Sequence, residues 1–151
     1  MRRIIVALSL AVLIAPIATG QDKTAVMATV RQFVDAFNKG DTKAALATCA
    51  DQTSIIDEFP PHEWHGAGAC QKWMDDYEAD ARKNDISDGL VTLSSPRHVE
   101  ITAERAYVVV PATYTYKQKG KPMKETNSLF TLVLQKAGTG WRITAWAWSK
   151  N

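Results

Sequence analysis

Cysteine, histidine, glycine and proline are all scarce in this sequence. Its 151 residues include 2 cysteines, 3 histidines, 8 glycines and 6 prolines. Two cysteines exclude a disulfide-dense scaffold and a four-cysteine zinc site, and so few glycines and prolines exclude a fibrous chain. A formal net charge of +2 is too small for a typical nucleic-acid-binding domain, so we expect no nucleic-acid partner. Apolar residues make up 46% of the chain, which at this length predicts one globular domain.

The first twenty residues have the layout of a secretory signal. Two arginines precede an almost wholly apolar run at 4–15, and Pro16 is followed by small residues at 18–20. This order predicts a cleavable signal peptide at residues 1–20 and an exported mature domain at 21–151, in the periplasm or the extracellular space. The alternative is an uncut membrane anchor, but a spanning helix needs about 20 apolar residues and Pro16 comes too early. We therefore expect no membrane attachment after cleavage.

Cleavage would also change the charge and the redox setting of the chain. Loss of Arg2 and Arg3 leaves 16 of the 18 basic residues, which equals the 16 acidic residues, so the mature chain has no net charge. In an oxidising compartment Cys49 and Cys70 favour a disulfide, since an even number of cysteines suggests pairing. The alternative is two buried free thiols that pack as small apolar side chains.

The periodicity of apolar residues changes along the mature chain. Helical spacing predicts helices at 22–39, 42–50 and 69–83. A short strand is predicted at 53–57 and a loop at 58–68, while alternation after Asn84 predicts strands at 90–101, 105–117, 123–135 and 141–149. Three helices with a run of antiparallel strands predict an α+β domain, in which a curved sheet and the helices enclose a concave space. Small molecules usually bind in such spaces.

Four stretches of the chain carry a resemblance to a known superfamily. They are residues 33–41 with the Ala-rich helix after them, residues 66–73, the Trp141–Arg142–Ile143 strand, and its end at Trp146–Ala147–Trp148. With these stretches the chain resembles the nuclear transport factor 2-like superfamily, which includes ketosteroid isomerases and SnoaL-like polyketide cyclases. The resemblance covers residues 22–151 and implies a cone-shaped curved antiparallel sheet wrapped around three N-terminal helices. It implies no single activity, because some members are enzymes and others bind or assemble.

The ketosteroid isomerases allow a comparison of chemical roles. In those enzymes an aspartate accepts a proton, and a tyrosine and a protonated aspartic acid stabilise the oxyanion. The resemblance places the base at Asp57. It places the tyrosine at Phe33 and the acid near Phe130 and Thr131, which have neither group. Because oxyanion donors contribute much of such catalysis, the sequence argues against steroid isomerisation by that mechanism.

Polar residues are densest at 57–65. Asp57 could act as a general base, with His62 or His65 as its proton partner near neutral pH. Two alternatives remain, a metal site and a solvated loop, and the irregular Pro60–Pro61 segment gives the histidines no fixed spacing. Asp57 could also be a turn-capping residue. We predict no metal and no cofactor.

The aromatic residues suggest how a ligand would be held. Trp146 and Trp148 share one face of the last strand, with Ile143 predicted on the other. Seven aromatic residues could line the cone and contact a flat, apolar or aromatic molecule. They are Phe33, Phe37, Trp64, Trp73, Tyr77, Tyr114 and Trp148. The alternative for most of them is ordinary core packing.

Two classes of function fit these patterns. The first is a domain that binds a small, largely apolar molecule, with proton transfer by Asp57. The second is a non-catalytic partner-binding module that pairs through the outer face of the sheet, at Tyr107, Val109, Thr113 and Thr115. We expect a homodimer under either reading.

The signal-peptide prediction has a direct test. N-terminal sequencing of the exported protein should begin at Gln21, because Ala18 and Gly20 occupy the small-residue positions before the predicted cut. A product that begins at Met1 or Arg2 would contradict it.

Overall fold

A computed structural model describes residues 20–151, so the predicted signal segment, apart from Gly20, lies outside the described residues. None of the described helices is long and apolar enough to cross a membrane. The elements in chain order are α1 (Gly20–Asn38), α2 (Thr42–Leu46), β1 (Cys49–Ile56), β2 (Glu63–Ala67), α3 (Ala69–Lys83), β3 (Ile86–Leu93), β4 (His98–Thr102), β5 (Arg105–Gln118), β6 (Lys121–Ala137) and β7 (Gly140–Ser149).

The break between the first two helices lies where the sequence predicts it. Gly40 has a φ of 66°, which favours glycine, and Asp41 Oδ1 accepts a hydrogen bond of 3.0 Å from the backbone N–H of Ala44. The second helix is shorter than predicted, because Cys49 already belongs to β1 and pairs with Ile143 of β7. Strand pairing therefore overrides the helical propensity of the end of this Ala-rich segment.

The strands form one curved, mixed sheet. Its order is β2-β1-β7-β6-β5-β3, and β4 pairs with the remaining part of β5. The predicted α+β cone is confirmed. The expectation that all strands are antiparallel needs one correction: β1 and β7 are parallel, whereas the other pairs are antiparallel. This pair joins the first strand of the chain to the last.

Two predicted boundaries around the sheet are wrong. The predicted loop at 58–68 contains β2, in which the buried Trp64 pairs with Ile55 of β1. The predicted strand at 90–101 is two strands, β3 and β4, separated by the segment that contains Pro96. Proline cannot donate to a strand ladder, which accounts for the break. The third helix has the predicted bounds, 69–83.

A bulge in β7 changes which residues face the core. Val133 of β6 pairs with Ala145, but its neighbour Leu134 pairs with Ile143, so Thr144 is the extra residue. At this bulge, the alternation of inward-facing and outward-facing side chains along β7 shifts by one residue. The prediction that Ile143 faces away from Trp146 is therefore wrong: both are buried in the core.

A disulfide joins the sheet to the third helix. The sulfur atoms of Cys49 in β1 and Cys70 in α3 are 1.97 Å apart, and the two residues are separated by 21 positions. A cross-link that closes a loop of this length contributes roughly 3 kcal/mol by restricting the unfolded chain. It also fixes the first turn of α3 against β1, next to the cavity described below.

Candidate functional site

A cavity of about 390 Å³ lies between α1, α3 and the inner face of the sheet. Six of the seven aromatic residues predicted to contact a ligand line it: Phe33, Phe37, Trp73, Tyr77, Tyr114 and Trp148. Phe59, Tyr116, Phe130 and Trp146 also line it. The aromatic rings pack against one another in stacked, tilted and edge-to-face pairs; Trp73 meets Trp146 edge-to-face at 4.8 Å between ring centroids. The wall is therefore largely apolar and preformed.

Trp64 is the exception among the seven. Its side chain is 4% exposed and lies in the core outside the cavity lining. Its Nε1 donates a 2.8 Å hydrogen bond to Asp76 Oδ2 of α3. Hydrogen bonds from Lys72 and Trp64 hold the pKa of Asp76 below its usual value. Trp64 thus anchors β2 to α3 and does not reach a ligand.

Asp57 follows the last residue of β1 and lines the cavity. Its Oδ2 accepts a 2.9 Å hydrogen bond from Trp73 Nε1, and its Oδ1 accepts a 2.7 Å bond from the backbone N–H of Glu58. Burial raises the pKa of Asp57 from 3.8 to about 6, although these two hydrogen bonds oppose the shift. The hydrogen bond from the backbone N–H of Glu58 is typical of an aspartate that caps a turn. Asp57 therefore caps a turn and also lines the cavity.

The structure separates His62 and His65 from the Asp57 carboxylate. Both histidines are exposed and neither lines the cavity. His62 has a φ of 76° after the two prolines, and its Nδ1 lies 3.2 Å from the backbone oxygen of Asp57. His65 lies on β2 with its Nε2 3.3 Å from Glu63 Oε2. Neither histidine ring is hydrogen-bonded to the Asp57 carboxylate in the described structure, so the pairing of Asp57 with either of them stays a prediction. No group of three or more metal-ligating side chains occurs among residues 20–151.

Four charged residues that were not predicted from the sequence line the cavity: Glu58, Asp80, Glu125 and Lys150. Lys150 Nζ is 2.7 Å from Glu125 Oε1 and 3.2 Å from Glu58 Oε2. The Glu125 side chain is only 8% exposed, and its second oxygen, Oε2, is buried without a hydrogen-bond partner in the described structure. Burial raises the pKa of Glu58, while its hydrogen bond with Lys150 opposes that shift, and the contacts with both carboxylates raise the pKa of Lys150.

A second bulge brings Glu125 to the cavity. Ala112 of β5 pairs with Ser128, but Tyr114 pairs with Glu125, so β6 has one extra residue here. Asn127 lies within this bulge and has a φ of 62°, a conformation that asparagine tolerates better than most residues. The shift places Glu125 on the same inner face as Ser128 and Phe130. In the sequence, Glu125 follows a lysine-rich turn and has no feature that distinguishes it from a solvent-exposed residue.

Two tyrosines that line the cavity form a hydroxyl pair. The hydroxyl oxygens of Tyr77 and Tyr114 are 2.6 Å apart. Burial raises the pKa of both groups, so both remain protonated near neutral pH. When one hydroxyl donates to the other, the accepting hydroxyl keeps its own proton and can donate it to a ligand. Gly89 leaves room for the pair, because a Cβ there would lie 2.8 Å from the Tyr114 hydroxyl and 3.0 Å from that of Tyr77.

Residues 26–150 match the SnoaL-like domain family, so this chain belongs to that family. No curated protein matches the sequence. Several solved structures share the fold.

One such structure is a ketosteroid isomerase-like protein from Erwinia carotovora atroseptica, with a TM-score of 0.68 and 19% identity over 87% of this chain and 98% of that one. A nuclear transport factor 2-like superfamily protein from Salmonella enterica has a TM-score of 0.70 and 16% identity, covering 85% of this chain and 89% of that one. A nuclear transport factor 2-like protein with a cystatin-like fold from Novosphingobium aromaticivorans has a TM-score of 0.69 and 11% identity, covering 86% and 82%. At these identities the likeness shows the fold alone.

The raised pKa of Asp57 predicts a signature in the pH dependence of stability. A folded-state pKa of about 6, above the ordinary 3.8, means that the folded protein holds this proton more tightly than the unfolded chain does. The stabilisation is full below about pH 4 and is lost as the pH rises through about 6. Urea unfolding should therefore show that the wild type loses free energy of unfolding relative to Asp57→Asn between these pH values. A difference that stays constant, or that increases with pH, would contradict the raised pKa.

Proposed function

We propose that this chain is an exported SnoaL-like domain that binds a small, largely apolar molecule in its cavity and transfers a proton with Asp57 as the base. The observation that carries the proposal is the position of Asp57, a carboxylate with a pKa of about 6 in the wall of an aromatic cavity. A general base is most effective when its pKa lies near the working pH. The Cys49–Cys70 disulfide supports export, because such bonds persist in oxidising compartments.

The site supports a division of roles between Asp57 and the Tyr77–Tyr114 pair. Asp57 would accept a proton from the bound molecule, while Trp73 Nε1 holds the carboxylate in place. The free hydroxyl proton of the Tyr77–Tyr114 pair would be donated to the oxygen on which negative charge develops. Proton transfer of this kind serves isomerase, cyclase or lyase chemistry.

The structural neighbour named as a ketosteroid isomerase-like protein shares the fold, so the choice of reaction class is supported by the side chains of this cavity. The chain differs from the isomerase pattern at the two donor positions, Phe33 and Phe130. Both side chains line the cavity and stack at 6.1 Å between ring centroids. Neither side chain can donate a hydrogen bond. The donors proposed here, Tyr77 and Tyr114, come instead from α3 and β5, which favours a substrate placed differently from a steroid in those enzymes.

Hydrogen–deuterium exchange at carbon tests the proposed proton transfer without knowledge of the substrate. The probe is 1-phenyl-2-propanone, an apolar aryl ketone, and NMR in D₂O follows the loss of its α-hydrogens. The wild type should accelerate exchange, and Asp57→Asn should slow it by about 10²- to 10⁴-fold because the base is removed. Tyr114→Phe should slow it by about 10²-fold through loss of a donor.

Asp75→Asn is the matched control, since Asp75 is an exposed carboxylate of α3 outside the cavity lining. Its exchange rate should equal that of the wild type. Failure of the wild type to accelerate exchange, or an Asp57→Asn variant as fast as the wild type, would refute the catalytic proposal.

A second proposal, self-assembly, is supported by the outer face of the sheet. Tyr107 and Leu90 are 45% and 48% exposed, which is high for large apolar side chains. They alternate with the inward residues Val108 and Val91, so both lie on the outer face with Val109, Thr113 and Thr115. A second copy of the chain would cover this surface.

Sedimentation equilibrium tests the assembly proposal. We expect the wild type to be a dimer and Tyr107→Lys to be a monomer with an unchanged circular dichroism spectrum, because a charge would be buried in the interface. Gln71→Lys, on the exposed side of α3, should remain a dimer. A monomeric wild type, or a dimeric Tyr107→Lys, would exclude pairing through this face.

A further inference from the structure

The cavity is far more acidic than the chain around it. Its lining includes four carboxyl groups, those of Asp57, Glu58, Asp80 and Glu125, and one ammonium group, that of Lys150. With all of them ionised, the lining has a formal charge of −3, and it contains no arginine or histidine. The mature chain as predicted has no net charge, so the excess of carboxylates is a property of this cavity.

One of the two carboxylate oxygens of Glu125 is a buried acceptor without a donor. Lys150 binds its Oε1, but Oε2 has no partner among the described residues. A buried acceptor left without a hydrogen bond costs about 1–3 kcal/mol, and more when it is charged. Lys150 also contacts Glu58, so one ammonium group serves two carboxylates. An ammonium group of a ligand would add a second cation to the two carboxylates that share Lys150.

Aromatic rings line the same cavity. Tyr116 stacks on Tyr114 at 4.8 Å between ring centroids, and Trp148 packs against Phe130 at 6.0 Å. The faces of tyrosine and tryptophan attract cations, most strongly where water is displaced. Together, the carboxylates and the aromatic faces would select a ligand by its positive charge as well as by its apolar body.

We infer that the ligand of this cavity has an ammonium group on an apolar or aromatic body, and that Glu125, with Glu58, binds the ammonium. This inference rests on the proposed binding of a small molecule in the cavity and specifies its chemical class. A cationic ligand also fits the proposed chemistry, since its charge offsets the oxyanion that would form within an acidic cavity. A neutral or anionic ligand provides no such compensation.

Three ligands that share a naphthyl group and differ in charge test the inference: the amine 2-(1-naphthyl)ethylamine, the alcohol 2-(1-naphthyl)ethanol and the carboxylate 1-naphthaleneacetate. Their affinities are measured by isothermal titration calorimetry near pH 7.5. We expect the amine to bind at least about tenfold more tightly than the alcohol, and the carboxylate to bind most weakly. Equal or tighter binding of the alcohol would overturn the inference while leaving the proposed function intact. Failure of all three probes to bind would overturn both.

Two variants test whether Glu125 is responsible for the preference for the amine over the alcohol. Glu125→Gln should abolish most of the advantage of the amine over the alcohol, whereas Asp75→Asn should behave like the wild type. Lys150→Met should increase the affinity for the amine several-fold, because it frees two carboxylates from their internal ammonium. Because Lys150→Met retains Glu125, it still tests the inference if Glu125→Gln fails to fold. An undiminished preference in Glu125→Gln, or no gain in Lys150→Met, would overturn the inference.

Discussion

The hydrogen bond from Trp73 Nε1 to Asp57 Oδ2 is the contact on which the cavity depends. It joins the end of β1 to α3 over 2.9 Å, at the point where the sheet meets the helix. The Cys49–Cys70 disulfide joins the same two elements at the other end of β1. Because α3 is attached at two places, the indole keeps a fixed direction relative to the sheet. The carboxylate is thereby held among aromatic side chains, where burial raises its pKa, and retains a donor that favours its ionised form.

Two one-residue bulges decide what the cavity contains. The bulge at Thr144 lets the core residue Ile143 and the cavity residue Trp146 both face inward along β7. The bulge beside Asn127 turns Glu125 inward along β6. Without the second bulge, strict alternation would place Glu125 in solvent and its neighbour Thr126 inside. A curved sheet needs such irregularities, and here they also determine the polarity of the site.

These bulges explain how far the sequence could predict the site. Helical spacing defines α3 to the residue, because a regular period extends over four turns. Asp57 is predictable from its place after a β-branched strand. Glu125 is not, because its side chain faces inward only through a register shift that depends on the pairing of β5 with β6. Lys150 lies next to the end of the chain, and its partners are 25 and 92 positions away in sequence, at Glu125 and Glu58. Trp64 is the opposite case. It was predicted to line the cavity because it is aromatic, but its side chain lies in the core and donates a hydrogen bond to Asp76.

Charge links ligand binding to the proposed chemistry. The neighbouring carboxylates of Glu58 and Glu125 add to the effect of burial and raise the pKa of Asp57. A ligand with an ammonium group would oppose their contribution, because an opposite charge within a few ångströms favours the ionised carboxylate. Binding of such a ligand would therefore lower the pKa of Asp57 and increase the fraction of the base that is ionised near neutral pH. The same positive charge would stabilise an oxyanion at the Tyr77–Tyr114 pair. The acidic lining therefore favours a ligand whose charge keeps Asp57 ionised and offsets the charge of the oxyanion.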